Sequence, residues 1–84
     1  MDGQVPTWLF VNFLLIQGFT HFESGPFSST YVWGKMVIVI DPLAPNQELD
    51  FLRTDLERVQ ELEQTTIDKF FGKLQAYAAQ NRPR

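Results

Sequence analysis

Residues 8–19, WLFVNFLLIQGF, put nine strongly apolar side chains into twelve positions. Such a run belongs in a bilayer, in a secretion leader, in a core, or against another protein. A membrane-spanning helix needs about 20 consecutive apolar residues, whereas this run is broken by Asn12 and ends at Gln17-Gly18. A leader needs a basic start and a small-residue cleavage site; here the chain opens Met-Asp-Gly-Gln and continues past the run as Gln17-Gly18-Phe19-Thr20. The expectation is a helix within a folded domain, with no membrane span; because small secreted domains are more often rich in disulfides, the cysteine-free chain is read as cytoplasmic.

The helix signals are local. Thr7 is expected as N-cap, its hydroxyl accepting a backbone N–H of the first turn, and Pro6 suits an extended entry. Gly18 stands where a left-handed residue ends a helix, with Phe19 placed for the accompanying apolar contact. Between them Trp8, Phe10, Val11, Phe13, Leu14, Leu15 and Ile16 cover nearly the whole circumference. A helix apolar all round needs cover on every side. A chain of 84 residues makes one small domain, with a low fraction of its surface buried. Part of this helix is therefore expected to meet a partner. With no cysteine to staple the fold, eight Phe, two Trp and two Tyr supply the apolar area.

Residues 20–41 read as strands. Thr20–Glu23 alternates, Ser24–Ser28 has turn composition, and two runs, 29–33 and 36–40, flank Gly34-Lys35. A Gly-X pair suits a two-residue type II′ hairpin. That register sets Trp33 opposite Met36 and Tyr31 opposite Ile38 on one face, with Val32 opposite Val37 and Thr30 opposite Val39 on the other. The run Met36–Ile40 is apolar on both faces, as a covered strand is, yet in a meander it lies at an edge, where unpaired backbone invites association.

Pro42 and Pro45 end the sheet. Asn46 is the expected N-cap of a helix from Gln47 to about Gln64, with Leu49, Leu52, Leu56, Val59 and Leu62 as its stripe. Asp50–Arg53, Arg53–Glu57 and Asp55–Arg58 are spaced as helix-neighbour ion pairs. Thr65 and Asp68 suggest a capping box for a last helix whose apolar face is Ile67, Phe70, Phe71, Leu74, Tyr77 and Ala78. Gly72 within it suggests close packing. The expected fold class is α+β, a three-stranded antiparallel sheet with an N-terminal helix and two C-terminal helices (α-β-β-β-α-α). Residues 1–84 form one domain, with 1–6 and 81–84 as flexible ends.

The chemistry is sparse. One histidine, His21, lies beside Glu23 on the same strand face, where a carboxylate can orient an imidazole. No zinc, P-loop, dinucleotide or nucleophile-elbow motif occurs, so no catalytic residue, metal or cofactor is assigned. The net charge of −3 is segregated: residues 41–63 carry Asp41, Glu48, Asp50, Asp55, Glu57, Glu61 and Glu63 against Arg53 and Arg58. Phosphate neutralisation dominates generic nucleic-acid binding, and an acidic chain without a basic stripe does not favour it.

The words LLIQGF at 14–19, Gly25, the hairpin, Glu48-Leu49, Leu52-Arg53 and Thr65-Thr66-Ile67-Asp68-Lys69-Phe70 are carried on a helix, three strands and a helix. Over residues 7–71 this resembles the HicA family of small toxins, which share a double-stranded-RNA-binding-like fold and cleave mRNA. The resemblance implies an α-β-β-β-α layout. The family's Gly-Ser-His falls here at Gly25-Pro26-Phe27, the surrounding basic residues are absent, and His21 is not at the matching position. No catalytic residue carries over.

Missing chemistry and surplus apolar surface point to a non-enzymatic module that binds a protein partner or itself. The expected contact residues are Trp8, Phe10, Phe13, Leu14, Val37 and Val39, with Glu48 and Asp55 facing a basic surface. The alternative is a diverged HicA-like RNA-binding or mRNA-cleaving domain with His21 as its base.

Overall fold

The computed structural model describes residues 3–81. The elements are β1 (Gln4–Pro6), α1 (Thr7–Gln17), β2 (Thr20–Gly25), β3 (Ser28–Trp33), β4 (Met36–Ile40), β5 (Asn46–Glu48), α2 (Leu49–Thr54), a π-helical turn (Asp55–Val59) and α3 (Gln64–Gln80). The fold is α+β: helices cover one face of a three-stranded antiparallel sheet ordered β2-β3-β4, and β1 pairs with β5 in a separate two-stranded ribbon.

α1 ends as its sequence suggests. Gly18 is left-handed at φ 103°; its N–H donates to the Leu15 carbonyl at 3.1 Å and that of Phe19 to Leu14 at 3.0 Å. These paired bonds satisfy two carbonyls the last turn would otherwise leave open. The N-terminus differs from expectation. Thr7 is the first helical residue and makes no cap. Its hydroxyl donates to the Ala44 carbonyl and accepts from the Gln47 amide, tying α1 to the segment after the sheet.

That tie accompanies β1, the main departure from the sequence reading. Gln4–Pro6, expected as part of a loose end, pairs with Asn46–Glu48, and Val5 is buried. Asn46 therefore lies in a strand and is not an N-cap. The Leu49 N–H donates to the Gly3 carbonyl at 2.7 Å, so backbone from the N-terminal segment supplies what a capping side chain would. Of the ends expected to be flexible, residues 1–2 and 82–84 lie outside the described residues.

The hairpin matches its predicted register at every pair from Thr30–Val39 to Trp33–Met36. Gly34 has φ 58° while Lys35 has no positive φ, as a type II′ turn requires. The β2–β3 connection is tighter than expected: the strands reach Gly25 and Ser28, with a register shift between Glu23 and Gly25.

The C-terminal half holds two helical segments, as expected, but the first is shorter than the expected 47–64 and is not regular to its end. After Thr54 the chain widens into the π-helical turn and then breaks before α3. Leu49, Leu52 and Leu56 are buried, but Val59, next in the expected stripe, is 73% exposed. An α-helical stripe assumes 3.6 residues per turn, and the wider turn rotates Val59 out of phase. Arg53 also departs from expectation. It turns toward α3, where it pairs with Asp68 at 3.2 Å and lies over the Phe71 ring. Asp68 accepts from Gln64 and Arg53, which hold its carboxyl below the ordinary value. It closes no capping box, and α3 starts at Gln64 without a side-chain cap.

The core lies between the inner sheet face and the helices. Phe70 is its aromatic centre, with edge contacts to Phe10, Phe13, Phe19 and Phe71. Ile67, Phe71 and Leu74 complete the buried face of α3. Gly72 faces open space, so close packing does not explain it.

Candidate interaction surfaces

Side chains alternate across a strand, so the pairing assigns every residue of the sheet to a face. The row His21–Tyr31–Ile38 points toward the helices, where Tyr31 and Ile38 are buried. The rows Phe22–Thr30–Val39 and Thr20–Val32–Val37 lie on the opposite, outer face. Phe22 is 54% exposed, Val39 56% and Val37 36%, with Thr30 and Val32 half-buried between them. These six positions carry no charge. Phe27, in the β2–β3 turn, and Leu43, in the segment after β4, are exposed at the same end of the sheet.

The β4 edge is partly occupied. The Val37 N–H donates to the Gln60 side-chain oxygen at 2.9 Å, and the Gln60 amide donates to the Val37 carbonyl and the Asp55 carboxylate. Gln60 directly follows the π-helical turn, and its amide stands in for one residue of a fourth strand.

Beside this clamp lies a cleft of 480 Å³, walled by Trp33, Lys35 and Met36 of the hairpin and by Glu61, Leu62, Glu63 and Thr66 before and within α3. Glu61 has φ 54°, a left-handed conformation unusual for a residue with a Cβ. A smaller hollow of 110 Å³ shares Trp33 and Thr66 with it and is otherwise lined by Gln17, Lys69, Phe70 and Lys73.

The expected contact residues separate into two groups. Phe10, Phe13 and Leu14 are 0%, 1% and 0% exposed; α3 packs over them and leaves them nothing to offer a partner. This corrects the expectation that they belong to a docking surface. Trp8 is exposed on the far side of α1, with Leu15 and Ile16. Val37 and Val39 fall together on the outer sheet face, whereas Glu48 is exposed in the β1–β5 ribbon and Asp55 is engaged by Gln60. Phe22, Trp33 and Gln60 complete the surfaces and were missing from the sequence reading. For Phe22 the alternation of β2 puts it on a face opposite to His21, but which sheet face the helices cover was not legible; for Trp33 the register gave its face but not its exposure.

His21 is exposed and stacks on Tyr31 with ring centroids 4.7 Å apart, and it makes no ion pair with Glu23 among the described residues. Burial pushes the Tyr31 phenol above its ordinary pKa. Among the described residues no group of His, Cys, Asp and Glu is arranged to hold a metal ion, and no helix is long and apolar enough to cross a membrane. No family model, curated protein or solved structure matches this chain.

Proposed function

We propose that this domain is a non-enzymatic protein-interaction module that docks a protein partner, in the first instance a second copy of itself, on the outer face of its sheet. The observation that carries the reading is the uncharged face on which Phe22, Val37 and Val39 are exposed together. Contiguous apolar surface of this kind marks interaction sites. A patch without charge also suits a two-fold contact, in which each residue meets a copy of the same surface and a chain of net charge −3 brings no like charges into the contact.

The test is light scattering on a sizing column across a hundredfold concentration range, for the natural chain and for Val39→Lys. The expected result is a dimer that dissociates on dilution and a variant that is monomeric throughout. A natural chain that is monomeric at the highest concentration overturns self-docking, and a Val39→Lys dimer removes this face from it.

The RNA-directed alternative rests on His21, whose exposed ring on the β2 edge is accessible to a substrate. On that reading mRNA cleavage disappears in His21→Ala, and RNA binding weakens steeply with salt. Cleavage that survives the substitution excludes His21 as the base.

A further inference from the structure

We propose that the cleft beside Trp33 is a second binding site, which takes an arginine side chain from a basic segment of a protein partner. Its two walls are pinned where they meet: Gln60, next to Glu61, is bonded to Val37, next to Met36. The Leu62 N–H donates back to the Leu56 carbonyl at 3.1 Å, fixing the left-handed Glu61 between them. A site held this way loses little freedom on binding, and 480 Å³ lies within the ordinary range for small-ligand clefts of ~300–1,000 Å³.

The lining selects the ligand. Met36 is buried and Leu62 half-buried, giving an apolar base, while Trp33 is 46% exposed. The Glu61 and Glu63 side chains form no ion pair among the described residues. An aromatic face attracts a cation. A guanidinium is planar, so it stacks on indole and still presents a fork of N–H donors to carboxylates, which an ammonium cannot match. Lys35 lines the cleft too and competes for the same carboxylates. Two acids, Glu61 and Glu63, against one base, Lys35, leave the lining acidic. This site is separate from the outer sheet face and does not depend on self-docking.

The probe is a blocked pentapeptide, Gly-Ser-Arg-Ser-Gly, compared with the same peptide carrying citrulline, which keeps the planar shape without the charge. Binding is followed by the Trp33 indole N–H resonance in full-length chain carrying Trp8→Phe. The arginine peptide is expected to saturate that shift in the low-millimolar range or below and to bind at least about tenfold more tightly than the citrulline peptide, equivalent to ~1.4 kcal/mol. Glu61→Gln with Glu63→Gln is expected to remove that preference, and Lys35→Ala to strengthen binding. Equal affinity for the two peptides, no shift at saturating peptide, or an unchanged preference in the Gln double variant overturns the proposal. Val39→Lys is expected to leave this titration unchanged, so a failure here is distinguishable from a failure of self-docking.

Discussion

The side-chain amide of Gln60 pairs with both backbone polar groups of Val37, completing in part the open edge of β4. An edge strand presents unpaired N–H and C=O groups that template association, and proteins blunt such edges with local devices. Here a glutamine carried just past a π-helical turn does so. Gln60→Ala is expected to cost about 0.5–1.5 kcal/mol, the usual net value of an intramolecular hydrogen bond, and to raise the tendency to associate through β4. Urea denaturation together with light scattering of the concentrated variant checks both. An unchanged denaturation midpoint with no new association would show that the clamp is dispensable.

Two backbone positions are expected to gain stability on substitution, in opposite senses. Gly72 lies within α3 with open space where a Cβ would sit, so Gly72→Ala is expected to stabilise by about 0.5–1 kcal/mol. Glu61 occupies a left-handed conformation that costs an L-residue roughly 1–2 kcal/mol. Glu61→Gly relieves this but leaves the unfolded chain more freedom to lose, for a net gain of about 1 kcal/mol or less. Thermal denaturation of each variant reads the sign directly.

Phe70 touches four other aromatic rings and is 4% exposed. Truncating such a side chain typically costs about 3–5 kcal/mol through lost burial and the cavity left behind. Small domains have only about 5–15 kcal/mol in total. Phe70→Ala is accordingly expected to be largely unfolded at 37 °C by circular dichroism, and Phe70→Leu to retain a cooperative transition at lower temperature.

Tyr31 sets an alkaline limit. Its phenol is raised above the ordinary value by burial, so the folded state holds the proton more tightly than the unfolded state does. The associated stability is fully present below about pH 10, the unfolded pKa, and is lost as pH rises through the higher folded value. Tyr31→Phe should therefore lose less stability than the natural chain between neutral pH and pH 11 in parallel urea titrations. Identical losses would mean that other groups dominate the alkaline transition.

What could be read from the sequence was local. The Gly34-Lys35 turn and the alternation beside it set the hairpin register residue by residue, and Gly18 marked the end of α1, because these signals act within a few positions. The Val59 phase was not legible: the π-helical turn comes with no composition cue, and the spacing of Leu49, Leu52, Leu56 and Val59 is what a regular helix would also have. Arg53 had acids at helical spacing on its own helix, yet pairs with Asp68 across the domain. The strip Phe10–Phe13–Leu14 was recognised as apolar, but its owner was not; only the packing of α3 assigns it to the core. For the same reason the apolar run Met36–Ile40 marks Val37 and Val39 as surface candidates, while the single aromatic Phe22 in Thr20–Glu23 carries no sign that it shares their face.

The β1–β5 ribbon has a consequence for the order of assembly. The hairpins can close over a few residues, whereas the ribbon joins segments nearly half the chain apart; the Gln47–Thr7 bond alone spans 40 positions. Contacts between distant positions must overcome loop-closure entropy before they contribute and so slow folding. Gln4–Pro6 is therefore expected to dock after the sheet has formed, completing the start of α2 through the Gly3 carbonyl. A chain without residues 3–6 should reach the sheet at an unchanged rate but unravel faster from the α2 end.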